Sequence, residues 1–196
     1  MPRITPLDPS TATGETAAHL ETVRKMLGGT PNLFTTAAHS PAALGALVSL
    51  FGYAARTSLG GRRAEQIALA VAQRNRCGYC LSAHTALGGL QGLDDETLTA
   101  ARSAESSDGR TAALLALAAD VIDARGHIDD ATFGAARDAG LTDAEIVEVV
   151  FLVALNVFTN YLNSVAQTTI DFPPVLPDDF DEPRRQRDDT ASTLIA

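Results

Sequence analysis

The chain contains only two thiols, and they stand three residues apart as Cys77-Gly-Tyr-Cys80. Helical positions three apart lie on adjacent turns, so the pair can close into a disulfide with little backbone movement. A helix starting at Cys77 also supplies free N–H groups and the positive end of its dipole, both of which favour a thiolate. Such settings lower a cysteine pKa from about 8.5 to roughly 3.5–7.5. His84 follows Cys80 by four residues, one turn along the same face, where an imidazole can take a thiol proton. Glu65 lies in the apolar segment before the pair. If that segment folds back on the Cys77 helix, its carboxylate can orient the imidazole, completing a nucleophile, base and orienter. The chemistry is a two-electron exchange between dithiol and disulfide, which requires no flavin, haem or metal.

Those residues need helices to hold them, and the pattern is helical throughout. Apolar spacing predicts a helix over about 15–27, stopped by Gly28-Gly29, and another opened by Ser40 with Pro41 at its first position. The next two run from about Arg62 to Asn75 and from about Cys77 to Leu90. Asp94-Asp95, Asp108 and Asp129 each fit an N-cap. Thr142 with Glu145 fits a capping box ahead of the most apolar helix, about 143–168. Strict polar–apolar alternation is scarce, so the fold class is all-α. Residues 1–13 read as an N-terminal arm, 14–172 as one helical domain, and 173–196 as a polar, flexible C-terminal tail.

The bulk composition narrows the partners. The chain has 196 residues, a net charge of −9 and a pI near 4.8. That balance argues against nucleic acid and against an anionic membrane surface. No stretch of about 18 apolar residues is seen, so nothing is expected to span a bilayer, and the first residues lack a secretory pattern. The expected location is therefore the cytoplasm, where a stabilising disulfide is uncommon and a Cys-x-x-Cys pair is catalytic, redox-sensing or metal-binding. Two other readings stay open here. The cysteines can be inert small core residues, or they can join His84 and Glu65 as a four-ligand zinc site.

Glu65, eleven residues, Cys77-x-x-Cys80, three residues and His84 is a specific spacing. It resembles that of the AhpD-like alkylhydroperoxidase family, the Cys-x-x-Cys branch of the carboxymuconolactone decarboxylase-like superfamily. A looser likeness covers about 30–172, including Pro31-Asn-Leu-Phe and the run from Ala154 to Asn163 that leads to Asp171-Phe-Pro. The resemblance implies an AhpD-like helical bundle, assembled as a homotrimer or homohexamer, that reduces a small hydroperoxide. It implies that Cys80 attacks the peroxide, Cys77 resolves the sulfenic acid as a disulfide, and His84 with Glu65 relays protons. A dithiol reductant regenerates the pair, a lipoyl-bearing protein in the best-known relatives. The helix-terminus argument favours Cys77 as the more exposed, more acidic thiol. The resemblance and the His84 spacing favour Cys80, which has the base beside it. The founding peroxidases carry His where this chain has Tyr79, which removes one proton carrier. Decarboxylating members lack the cysteine pair, so that activity is not expected. A non-catalytic redox sensor or oligomeric binding protein with a switchable dithiol is the alternative.

Other polar residues read more plainly. His39 and His127 sit at expected helix ends and suggest structural roles, and His19 suggests an exposed position. Asn156, Asn160 and Asn163 fall at i, i+4 and i+7 on an apolar helix. Buried amides must be hydrogen-bonded, so the stripe is expected either to pair across a helix or subunit contact or to face solvent.

Overall fold

A computed structural model of the protein describes residues 1–178 and, among them, contains helices and no strand. The helices are α1 (Gly14–Leu27), α2 (Asn32–Ala37), α3 (Pro41–Ala54), α4 (Gly60–Arg74), α5 (Gly78–Leu90), α6 (Asp95–Arg102), α7 (Gly109–Asp123), α8 (Asp130–Asp138) and α9 (Asp143–Ala166). Helix starts follow side chains visible in the sequence. Ser40, Asp94, Asp108 and Asp129 each accept a hydrogen bond from the N–H three residues on. Thr142 and Glu145 form the reciprocal capping box. Gly28 ends α1 in the left-handed region, at φ 76°, where a Cβ would be penalised. The six residues of α2 offer too little periodicity to be read as a helix from pattern alone.

α4 is the hub, with α5, α6, α7 and α9 all packed on it. Its residues from Gln66 to Gln73 are buried without interruption. The alternation of Ala68, Ala70 and Ala72 with Ile67, Leu69 and Val71 explains this: small residues let neighbouring helices approach on several sides while the larger ones fill the core. The N-terminal arm is tied down at its far end. The Arg3 N–H donates to the Ala166 carbonyl at 2.8 Å, satisfying the last turn of α9, and the Leu7 N–H donates to Thr35 at 3.0 Å. By length and mean hydropathy alone α9 could cross a membrane. Its buried positions, Val149, Leu152, Val153 and Leu155 among them, instead belong to the core shared with the other helices.

Candidate active site

The site forms where α4 turns back into α5. Asn75, Arg76 and Cys77 make the turn, with Arg76 left-handed at φ 53° and the Cys77 N–H donating to the Ala72 carbonyl at 2.9 Å. α5 therefore runs back along α4, and Glu65 meets His84 with Oε2 2.7 Å from Nδ1. Cys77 is the N-cap of α5 rather than its first helical residue, and its Sγ accepts from the Cys80 N–H at 3.3 Å. Both thiols are free and their sulfurs lie 2.8 Å apart. Among the described residues, no three of His, Cys, Asp and Glu converge as a metal ion would require.

The two thiols are not equivalent. Burial pushes the Cys80 thiol well above its ordinary value, the Cys77 sulfur adds to that push, and the amides of Asn163 and Asn160 oppose it. The Cys77 thiol is lowered, first by its hydrogen bond with the Cys80 side chain, then by the Cys80 N–H and the charge of His84, against the cost of burial. The first negative charge of the pair therefore rests on Cys77, with the shared proton on Cys80. The helix-terminus argument is right about acidity but not about access, since Cys77 and Cys80 are 3% and 2% exposed. His84 makes no hydrogen bond to either sulfur among the described residues. Its Nδ1 is held by Glu65, and its influence on the thiols is through space, on Cys77.

Tyr79 points to neighbouring elements rather than to the thiols. Its hydroxyl accepts from the Leu33 N–H at 3.1 Å and donates to the Asp171 carboxylate, and its ring stands edge-on to Phe172. Asp171 in turn accepts from the Asn32 N–H at 2.8 Å. Tyr79 thus ties α5 to the start of α2 and to the chain beyond α9. Burial raises its phenol far above the usual range, so it stays protonated.

Residues 41–119 match the carboxymuconolactone decarboxylase family. That stretch resembles the family, and the fold is AhpD-like. A peroxidase-related protein from Silicibacter sp. TM1040 is 24% identical with a TM-score of 0.73, over 88% of this chain and 92% of that one. The AhpD core of a peroxidase-related protein from Ralstonia eutropha JMP134 is 22% identical with a TM-score of 0.75, over 91% and 93%. The debrominase Bmp8, solved with 2,3,4-tribromopyrrole, is 21% identical with a TM-score of 0.74, over 86% and 91%. No curated protein matches this sequence.

The family match includes Glu65, Cys77, Cys80 and His84 but stops before α9, which adds further polar groups to the site. Asn163 Nδ2 donates to Cys80 Sγ at 3.3 Å, and Asn75 Nδ2 donates to Asn160 Oδ1 at 2.9 Å. Asn156 donates only to Leu152 in its own helix. Two of the three stripe amides therefore pair across helices, and all three are buried.

The chain after α9 crosses the head of α5. Gly78 faces the side chains of Ile170, Leu176 and Pro177. Ser82 Oγ accepts from the Val175 N–H at 2.9 Å. Buried Gln73 accepts from Arg102 and donates to the Asp178 carbonyl, while Arg102 also donates to the Leu176 carbonyl and the Asp178 carboxylate. Val175, Leu176 and Asp178 of the expected tail are thus bonded across the head of α5, and 179–196 lie outside the described residues. Gln73, Arg102 and Asn75 carried no sequence signal, because their partners are distant along the chain. Among the histidines, His39 Nε2 bonds the Thr5 carbonyl at 2.8 Å, a structural role. His19, expected to be exposed, is half-buried with its ring against Gly45 of α3.

Proposed function

We propose that the chain is a thiol-dependent peroxidase or disulfide oxidoreductase that reduces a small hydroperoxide. The observation that carries this reading is the pair of free sulfurs 2.8 Å apart, with the Glu65–His84 pair set close enough to lower the Cys77 thiol. Core cysteines acting only as small apolar groups need neither a shared proton nor a buried imidazole–carboxylate contact nearby. The peroxidase-related relatives agree with the reading, and their identity to this chain leaves the substrate to experiment.

The proton on Cys80 passes to Cys77 across the short S···S contact, leaving a Cys80 thiolate. That thiolate attacks the hydroperoxide: an S–O bond forms, the O–O bond breaks, and sulfur gives up two electrons. The departing alkoxide takes a proton from Cys77. The Cys77 thiolate then attacks Cys80 sulfur, the S–S bond forms and the S–O bond breaks. Hydroxide leaves as water with a proton delivered through His84, whose Nδ1 is held by Glu65. A dithiol reductant, lipoyl-bearing in the family's best-known members, returns two electrons and two protons to the disulfide. The working compartment is the cytoplasm, and the working form is a homotrimer or homohexamer.

The test is peroxide consumption under dithiol reductant for the parent, Cys80→Ser, Cys77→Ser and His84→Ala. Continuous turnover in the parent and none in Cys80→Ser supports both the activity and the nucleophile. A parent that forms its disulfide once and never cycles with any dithiol is a redox sensor instead. Because one structural relative is a debrominase, 2,3,4-tribromopyrrole belongs beside the peroxides as a second oxidant class.

A further inference from the structure

Asn160 and Asn163 do more than fill the contact between α9 and the thiol helix. Both are buried, at 0% and 3% exposure, on the core face of α9. Asn163 spends its amide N–H on Cys80 Sγ, a poor acceptor as a thiol and a strong one as a thiolate. Asn160 is fixed by the bond its Oδ1 accepts from Asn75, which leaves its own NH2 group free. Two atoms of these amides, Asn160 Nδ2 and Asn163 Oδ1, have no hydrogen-bond partner among the described residues. An unpaired buried amide atom is costly, and two of them on the amides that act on Cys80 call for an explanation. One is a donor and the other an acceptor, and a hydroxyl bound to sulfur needs both.

We propose that Asn160 and Asn163 seat Cys80 in its ionised and oxygenated forms. The Asn163 N–H holds the thiolate, and the free Asn160 N–H and Asn163 Oδ1 then receive the oxygen that sulfur takes from the hydroperoxide. Both are positioning residues, acting through Cys80. The seat resolves the contest between the two thiols. Cys77 is the more acidic of the two thiols, but the amides able to stabilise a charge and an added oxygen act on Cys80. The direction of the Cys80 pKa agrees, since the two amides work against the burial that raises it. The oxygen-binding half of this inference rests on the peroxidase reading, and the thiolate half does not.

The two halves are separable in a Cys77→Ser background, where Cys80 is the only thiol and its sulfenic acid cannot be resolved internally. Two quantities are read there: the pH dependence of Cys80 alkylation by iodoacetamide, and the lifetime of the sulfenic acid formed by hydrogen peroxide, trapped with a dimedone probe. Asn163→Leu raises the alkylation midpoint by about one pH unit or more. Asn160→Leu shortens the sulfenic-acid lifetime severalfold. Asn156→Leu, whose amide serves only its own helix, moves neither. If a Leu variant fails to fold, the smaller Asn163→Ala removes the same donor without adding a charge, and the midpoint must still rise. Unchanged midpoint and lifetime in folded variants overturn the proposal. If the background protein alkylates normally but forms no sulfenic acid, the peroxidase reading fails, and the midpoint of Asn163→Leu still decides the thiolate half.

Discussion

At the scale of single residues, the distribution of protons sets what the site can do. Glu65 holds His84 by Nδ1 at 2.7 Å, and on the proposed mechanism Nε2 is then the atom that protonates departing hydroxide. His84→Ala is expected to lower steady-state peroxide turnover by about a hundredfold or more, the usual weight of a positioned acid–base group. Glu65→Gln is expected to lower it less, because the ring stays in place and loses only its charged partner; stopped-flow peroxide consumption ranks the two. Tyr79→Phe separates structure from chemistry. It removes a hydroxyl bonded to Leu33 and Asp171, so calorimetry should show a loss of about 1 kcal/mol, with the rate of thiol oxidation close to the parent's. Equal losses of rate in Tyr79→Phe and His84→Ala would put the phenol in the proton path. Glu65, Cys77, Cys80 and His84 were legible in the sequence because their relation is local: one helix, one turn and the helix before it. The contact of Asn163 with Cys80 was not, because 83 residues separate them and only the packing of α9 against α5 brings them together.

At the scale of elements, the helix boundaries were readable wherever a side chain fixed them and unreadable where tertiary contact did. The aspartate caps and the Thr142–Glu145 box stand where the residue types put them. α2 and the end of α9 depend instead on Tyr79, Asp171 and the N-terminal arm, which no periodicity encodes. Thr142→Ala should cost about 1 kcal/mol in chemical denaturation, as N-cap losses do. Glu145 offers a pH signature as well. The Thr142 N–H first, and then the Arg110 guanidinium 2.7 Å away, hold its carboxyl at about 2, below its ordinary 4.5. A depressed carboxyl stabilises the fold above its ordinary value, and that stability is lost as pH falls through about 2. The deficit in Tm of Glu145→Gln should therefore be full at neutral pH and should shrink across that acidic window. A deficit that ignores pH would mean that the carboxylate contributes by packing alone.

At the scale of the whole molecule, one surface is out of character for an isolated chain. Val147, Val150, Phe158, Tyr161 and Val165 are exposed along one face of α9, at helical spacing, and a continuous apolar stripe of this kind marks a contact surface. A homotrimer or homohexamer, as proposed, would cover it with a second copy of the same chain. Phe158→Asp should lower the mass measured by light scattering while leaving the helical signal of circular dichroism in place. An unchanged mass would free α9 from the assembly.

The chain crossing above Gly78 also makes reactivity a question of populations. Lifting this segment from the head of α5 means breaking the bonds that link Gln73, Arg102 and Ser82 to residues 175–178. At about 1 kcal/mol for each of three such bonds, roughly one molecule in 150 would have the segment lifted at equilibrium. A reagent small enough to slip past feels the intrinsic rate of the sulfur; a bulky one feels that rate multiplied by the uncovered fraction. Arg102→Ala should therefore quicken reaction with a large aromatic disulfide far more than reaction with hydrogen peroxide. The bonds over the thiols would then act as a sieve, ranking oxidants by their size before any chemistry at sulfur begins.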